Sequence, residues 1–194
     1  AEGRVRQVVD HYHNSVATID SSLAKLGAQR DWSNLESAPG DEVVRLRSAR
    51  IRTPNGETAS IFTLRNSVGI EVAYDVLEPG HMLVPNFHFS NQDGAQLFAI
   101  QDVGPEWHRR ARPVGRYIST AWLPADLLTE GSVSVNIGVS SHLPKVLVHA
   151  WANNVVAFHM TDPLEQSVTR GDYTGSFPGV VRPLVNWTTV WESA

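Results

Sequence analysis

Between Gly131 and Asp162 the chain alternates apolar and polar residues with a period of two. Val133, Val135, Ile137 and Val139 interleave with Ser134, Asn136, Gly138 and Ser140, which gives an extended segment one apolar face and one face of small polar groups. This is the pattern of a half-buried strand. The run continues as KVLVHAW, an expected turn at Asn153 and Asn154, and VVAFHMTD. The same period recurs upstream in shorter pieces: Val43 to Thr53, with one irregularity, Ile70 to Val76, Leu83 to Ser90, Gln96 to Gln101 and Tyr117 to Leu123. Turn signals separate them at Pro54-Asn55-Gly56, Glu78-Pro79-Gly80 and Asn91 to Gly94, and the first is expected to fold Ala59 to Arg65 back as a hairpin partner of Val43 to Thr53. A Gly- and Pro-rich stretch from Arg170 to Pro183 precedes Leu184 to Trp191, which is expected to form a last strand. Short strands at regular spacing, with no second long helical pattern, predict a mainly β protein built as an antiparallel β-sandwich.

Only the N-terminus breaks the period. Val5, Val8, Val9, Tyr12, Val16, Ile19, Leu23 and Leu26 fall three and four residues apart, the stripe of an amphipathic helix, with Gly27 as its expected C-terminal stop. The stretch Asp31 to Asp41 has the Ser, Asn, Pro and Gly content of a linker. The expected organisation is therefore an N-terminal helix and linker over residues 1–41 and a β-sandwich over 42–194.

Composition narrows the function classes. A net charge of -4 over 194 residues, with no basic block, gives no general attraction to nucleic acid or anionic lipid. The absence of cysteine removes disulfides, thiolate metal sites and thiol catalysis together. No apolar run approaches the roughly 20 residues that span a bilayer, and charges stand where a signal peptide would be apolar, so the chain is expected to be soluble and is compatible with the cytoplasm.

Several segments in their order carry a resemblance. They are Gly69-Ile70-Glu71-Val72, Asp93-Gly94-Ala95-Gln96-Leu97-Phe98, Leu127-Leu128-Thr129-Glu130-Gly131, Ala157-Phe158-His159-Met160-Thr161-Asp162, and Gly175-Ser176-Phe177-Pro178-Gly179-Val180-Val181-Arg182-Pro183 with Trp187. Together, over roughly Val43 to Trp191, the pattern resembles the C-terminal carbohydrate-binding domain of Wzt-type ATP-binding proteins, from ABC transporters that export O-antigen polysaccharide. The opening Gly3-Arg4-Val5-Arg6-Gln7-Val8-Val9-Asp10-His11-Tyr12 resembles the helical end of the ATPase domain in that family. The departure is that no Gly-rich loop with Gly-Lys-Ser/Thr is present, so this chain by itself is not expected to hydrolyse ATP. The resemblance implies an immunoglobulin-like sandwich, a homodimer that exchanges its C-terminal strand, and a polysaccharide bound on the outer face of one sheet. It further implies an ATPase domain in the same full-length chain, a membrane permease partner, and a place in the cytoplasm at the inner face of the inner membrane.

In an immunoglobulin-like sandwich the strands Leu83 to Ser90, Val133 to Ser140 and Val155 to Asp162 are neighbours in one sheet. Strand parity then puts Asn86, His88, Ser134, Asn136 and His159 on its outer face. These amide, imidazole and hydroxyl groups suit sugar hydroxyls, which donate and accept at once, and an aromatic surface suits the C–H patches of a sugar ring. Of the tryptophans, Trp151 is the candidate platform, Trp122 is expected in the core and Trp187 is expected to anchor the last strand. The same polar residues would also be at home on the solvated face of any sheet.

Other chemistry finds less support. His11 and His13, and His81, His88, His108, His142, His149 and His159, show no metal-ligand spacing, and no cofactor is expected. Glu78, Asp162, Glu165 and Asp172 carry no spacing that predicts a glycosidase pair, and Ser140-Ser141-His142 joins hydroxyl and imidazole only as neighbours in sequence. The expectation is a non-enzymatic carbohydrate-recognition domain. The alternatives are a sandwich that only dimerises ATPase subunits, and a glycan-active hydrolase or metal-dependent jelly-roll enzyme.

Overall fold

The computed structural model describes residues 26–162, 175, 179–183, 185 and 187–191; the expected N-terminal helix lies outside these, although Gly27 takes the left-handed φ of 67° that suits a helix stop. Nine strands form two sheets. They are β1 (Gln29–Asp31), β2 (Val44–Arg52), β3 (Ile61–Thr63), β4 (Val68–Val76), β5 (Leu83–Asn91), β6 (Gln96–Gln101), β7 (Gly115–Leu123), β8 (Gly131–Ser141) and β9 (Leu147–Thr161). One sheet has the order β1-β2-β4-β7 and the other β3-β9-β8-β5-β6. Every pairing is antiparallel except β3 with β9 at one edge. The expected immunoglobulin-like β-sandwich is what forms. No described helix is long and apolar enough to cross a membrane.

The alternation read in the sequence supplies the core. Val133, Val135, Ile137 and Val139 of β8 face Ile70, Val72 and Tyr74 of β4 and Leu46 and Ile51 of β2 within one buried cluster. The irregularity in β2 is a bulge between Leu46 and Ser48. By holding one extra residue, Arg47, it lets Leu46 and Ala49 both point inward, which strict alternation forbids.

The structure corrects four expectations about the course of the chain. First, strands begin before the linker-like stretch, because Gln29–Asp31 already pairs with Arg50 to Ser48 of β2. Second, Pro54-Asn55-Gly56 does reverse the chain, with Gly56 at φ 91°, but the return along β2 is short, ending once Thr58 bridges Arg52 and the Ala59 N–H donates to the Ile51 carbonyl. The chain then crosses to the other sheet, where Ile61–Thr63 lies parallel to His159–Thr161 and Phe62 enters the core edge-on to Phe158 at 6.2 Å. Hydrophobic alternation is satisfied equally by either sheet, and burial of Phe62 decides between them. Third, Asn153 and Asn154 make no turn. The chain reverses at residues 142–146, and β9 runs unbroken through both asparagines with a bulge that sets three residues, Asn153 to Val155, against the single Asn136. Two extra residues preserve parity, so Trp151 and His159 stay on the same side of the strand. Fourth, the described residues of the segment from Leu184 to Trp191 form no strand, and Trp187, expected to anchor one, is 86% exposed.

Two polar clusters fasten the ends of the sandwich. Arg112 is buried, hydrogen-bonded to the Tyr74 hydroxyl and paired with Asp102 at 3.0 Å. Its guanidinium lies 5.2–5.7 Å from the ring centres of Tyr74, Trp107 and Tyr117, so cation–π attraction replaces part of the hydration it lost. At the chain's far end, Arg182 reaches Asp126 and Asp162, while Val181 bridges Leu128.

His159 sits near the C-terminal end of β9 opposite Ser132, its Nδ1 2.9 Å from the Ser132 hydroxyl. Its Nε2 is buried without a hydrogen-bond partner. Burial holds the imidazole below its ordinary value of about 6.5, against a weaker opposing pull from Glu130. A group that binds its proton less readily when folded destabilises the fold as pH falls. This contribution is therefore complete above about pH 6.5 and is lost as pH drops through the folded-state value. Urea unfolding midpoints of the wild type are expected to fall between pH 7 and 5 more steeply than those of His159→Gln. Parallel pH profiles would contradict the assignment.

Candidate functional site

The outer face of the five-stranded sheet is built by register. Asn86 lies opposite Gly138 and His88 opposite Asn136 across β5 and β8, and Gly138 lies opposite Trp151 across β8 and β9. Three adjacent strands thus bring one indole, one imidazole and two side-chain amides together, with Gln101 beyond Asn86 on β6.

Gly138 is the residue this arrangement turns on. A Cβ there would stand 2.6 Å from Asn86 Oδ1 and 2.8 Å from Trp151 Cε3, closer than side-chain atoms approach. Only hydrogen at this position lets the indole and the amide meet over the middle strand. The Trp151 ring extends over β8 toward His88, whose ring meets it nearly perpendicularly with centroids 4.9 Å apart. Trp151 Nε1 donates to Asn153 Oδ1 at 2.8 Å, which fixes the ring and leaves it 38% exposed.

Each amide is held by one end. Asn86 Nδ2 donates to the Val84 carbonyl and the Ser140 hydroxyl, at 3.1 and 3.2 Å. Asn136 Oδ1 accepts from the backbone N–H of Asn154 at 2.8 Å, so the asparagine that breaks the ladder at the β9 bulge is the one that orients Asn136. The opposite ends, Asn86 Oδ1 and Asn136 Nδ2, and both ring nitrogens of His88 carry no other hydrogen bond among the described residues. The result is an acceptor, a donor and an amphoteric imidazole around an exposed indole, with no charged side chain on the outward positions of β5 and β8. Such a set matches a neutral polyhydroxylated ring.

Asn86, His88, Asn136 and Trp151 therefore form one cluster. Ser134 shares their face one row further along, opposite Ser90, but is buried at 3% exposure. His159 stands another row beyond, against Ser132 and out of reach of solvent. Trp122, expected in the core, is instead on the outer face of the other sheet and 45% exposed. Sequence reasoning also missed Arg112 and Gln101. Neither lies in a motif, and only the pairing of β5 with β6 brings Gln101 beside Asn86.

Ser141, His149 and Asp41 form a hydrogen-bonded chain: Ser141 Oγ lies 3.0 Å from His149 Nε2, and His149 Nδ1 lies 2.8 Å from Asp41 Oδ2. Burial pushes the Asp41 carboxyl up, but hydrogen bonds from His149 and from the N–H groups of Val43 and Val44 outweigh it and hold it below the usual range. The connectivity is that of a serine-hydrolase triad, yet Ser141 and His149 are both buried. What the chain does here is clasp the turn before β2 to the β8–β9 end of the other sheet. Among the described residues no three His, Asp or Glu side chains converge as metal ligands.

No family model and no curated protein matches this chain. In fold it is similar to the solved C-terminal domain of Wzt, with a TM-score of 0.61 over 90% of this chain and 98% of that one, at 14% sequence identity. The sandwich described above is the fold of that domain, reached by a very different sequence.

Proposed function

We propose that this chain is a non-catalytic glycan-recognition domain that binds an O-antigen type polysaccharide for export by an ABC transporter. On this reading it is the substrate-binding domain that accompanies an ATPase domain of the same full-length protein and a membrane permease. It would then work on the cytoplasmic side of the inner membrane. The observation that carries the reading is the neutral cluster of Asn86, His88, Asn136 and Trp151, seated on the fold of the Wzt C-terminal domain. Specificity follows from the amides. A glycan whose hydroxyls fail to match Asn86 Oδ1 or Asn136 Nδ2 leaves a desolvated polar group unpaired, at a cost of about 1–3 kcal/mol for each.

A homodimer that exchanges C-terminal strands accompanies this reading. It is supported by the exposure of Val185, Trp187, Val190 and Trp191, a run of large apolar side chains in a segment that pairs with nothing described. A cleft of about 620 Å³ between the edge strands β6 and β7, lined by Phe87, Ile100, Trp107, Tyr117 and Ile118, offers such a segment an apolar seat. The dimerisation-only alternative shares this feature and differs in leaving the Trp151 face without a ligand.

Titration of the chain with the producing organism's own polysaccharide, and with an unrelated neutral one, tests recognition. Selective binding is expected, and Trp151→Ala or Asn136→Ala, with circular dichroism unchanged, should weaken it tenfold or more, whereas His159→Gln should not. Undiminished binding by folded Trp151→Ala would remove the site, and no binding by the wild type would favour dimerisation alone. For the dimer, light scattering should give twice the chain mass for the wild type and the monomer mass for a chain ending at Pro183. A dimer that survives the truncation would rule out the exchanged strand.

A further inference from the structure

The outer face of the four-stranded sheet repeats the Gly–Trp device with different chemistry. Gly69 of β4 lies directly opposite Trp122 of β7, and a Cβ at Gly69 would stand 2.8 Å from Trp122 Cη2 and Cζ3. The indole therefore covers the glycine as Trp151 covers Gly138. Covering a strand glycine with a cross-strand aromatic stabilises a sheet in itself. What goes beyond that role is the rim of the exposed ring.

Arg52 stands opposite Gly69 on the other side, its guanidinium 5.7 Å from the Trp122 ring centre. One row along come Arg50, Glu71 and Thr120, register neighbours across β2, β4 and β7. Glu71 takes Arg50 Nε on one carboxylate oxygen at 2.6 Å, and Arg52 Nη1 and the Thr120 hydroxyl on the other. Burial pushes the Glu71 carboxyl up, but the two arginines outweigh it and hold it ionised. One carboxylate is thus shared by two guanidiniums, and the cluster keeps a net positive charge. The Arg50 fork beyond Nε carries no further bond among the described residues, and Arg50 is about one-third exposed. Arg50 and Trp122 are two strands and one row apart, roughly 10–12 Å between backbone positions. Two long side chains narrow that gap to the width of a single sugar ring.

We propose that Trp122, Arg52 and Arg50 form a second saccharide site, on the face opposite Trp151, that takes an anionic sugar unit of the uronic acid type. The sugar's C–H face rests on Trp122 and its carboxylate meets the open end of Arg50, a charge-assisted pairing for which a guanidinium fork is shaped. The Trp151 face has no cation on the corresponding strands, so the two faces select sugars of opposite character. This site does not rest on the glycan reading of Trp151, and either can fail alone.

Calorimetric titration of the whole chain with trigalacturonate, with its methyl ester and with mannotriose tests it. Trigalacturonate is expected to bind at least tenfold more tightly than its methyl ester, and less tightly as salt is raised. Arg50→Gln, which leaves Trp122 in place, should abolish the preference for the free acid, and Trp122→Ala should weaken binding of trigalacturonate at least tenfold. Trp151→Ala should leave it unchanged. Equal binding of acid and ester, retention of the preference in Arg50→Gln, loss of uronate binding in Trp151→Ala, or no binding of trigalacturonate at millimolar concentration would each overturn the proposal.

Discussion

The structure depends on the alternation of β8. As the middle strand of the five-stranded sheet it must serve two faces at once. Val133, Val135, Ile137 and Val139 point inward and are essentially removed from water, and each such side chain contributes about 1.5–3 kcal/mol relative to exposure. The outward positions are small for a complementary reason. Gly138 has no room for a side chain because Trp151 and Asn86 already occupy the space above it, and Asn136 is fixed from the neighbouring bulge. Core and site are therefore two readings of one strand, and a slip of register by one residue would bury the amides and expose the valines.

How far this was legible in the sequence depends on what each feature needs. The alternation of β5 and β8 could be read directly, and with it the outward side of Asn86, His88 and Asn136, because parity is local to a strand. The choice of partner was not local. Nothing in Ile61 to Thr63 says that it pairs with β9 and not β2, and nothing in Asn153-Asn154 separates a hairpin turn from a bulge inside one long strand. Trp122 was misplaced because its surroundings are supplied by Gly69 and Arg52, more than fifty residues earlier in the chain. His159 has the right parity for the outer face yet is closed off. Parity tells which way a side chain points, and burial is decided by whatever else packs there.

The two outer faces divide the molecule electrostatically. Around Trp151 the strands carry amides, an imidazole and hydroxyls, while around Trp122 they carry the Arg50–Glu71–Arg52 cluster and, further along, Asp75 between Arg47 and Arg116. A neutral ligand gains little from the second face, and a charged one meets no counterion on the first. The clasp from Asp41 through His149 to Ser141 joins the turn ahead of β2 to the end of β8, and His149 lies two residues from Trp151. The connection from β1 into β2 is thereby tied to the strand that carries the indole.

Whether the Trp151 face holds a glycan is decided by amide and side-chain resonances followed by NMR during titration with the producing organism's polysaccharide. The largest shifts are expected on the Trp151 indole N–H, the side-chain amides of Asn86 and Asn136, and His88. Shifts confined to the cleft between β6 and β7, or spread evenly over the molecule, would contradict a glycan on that face.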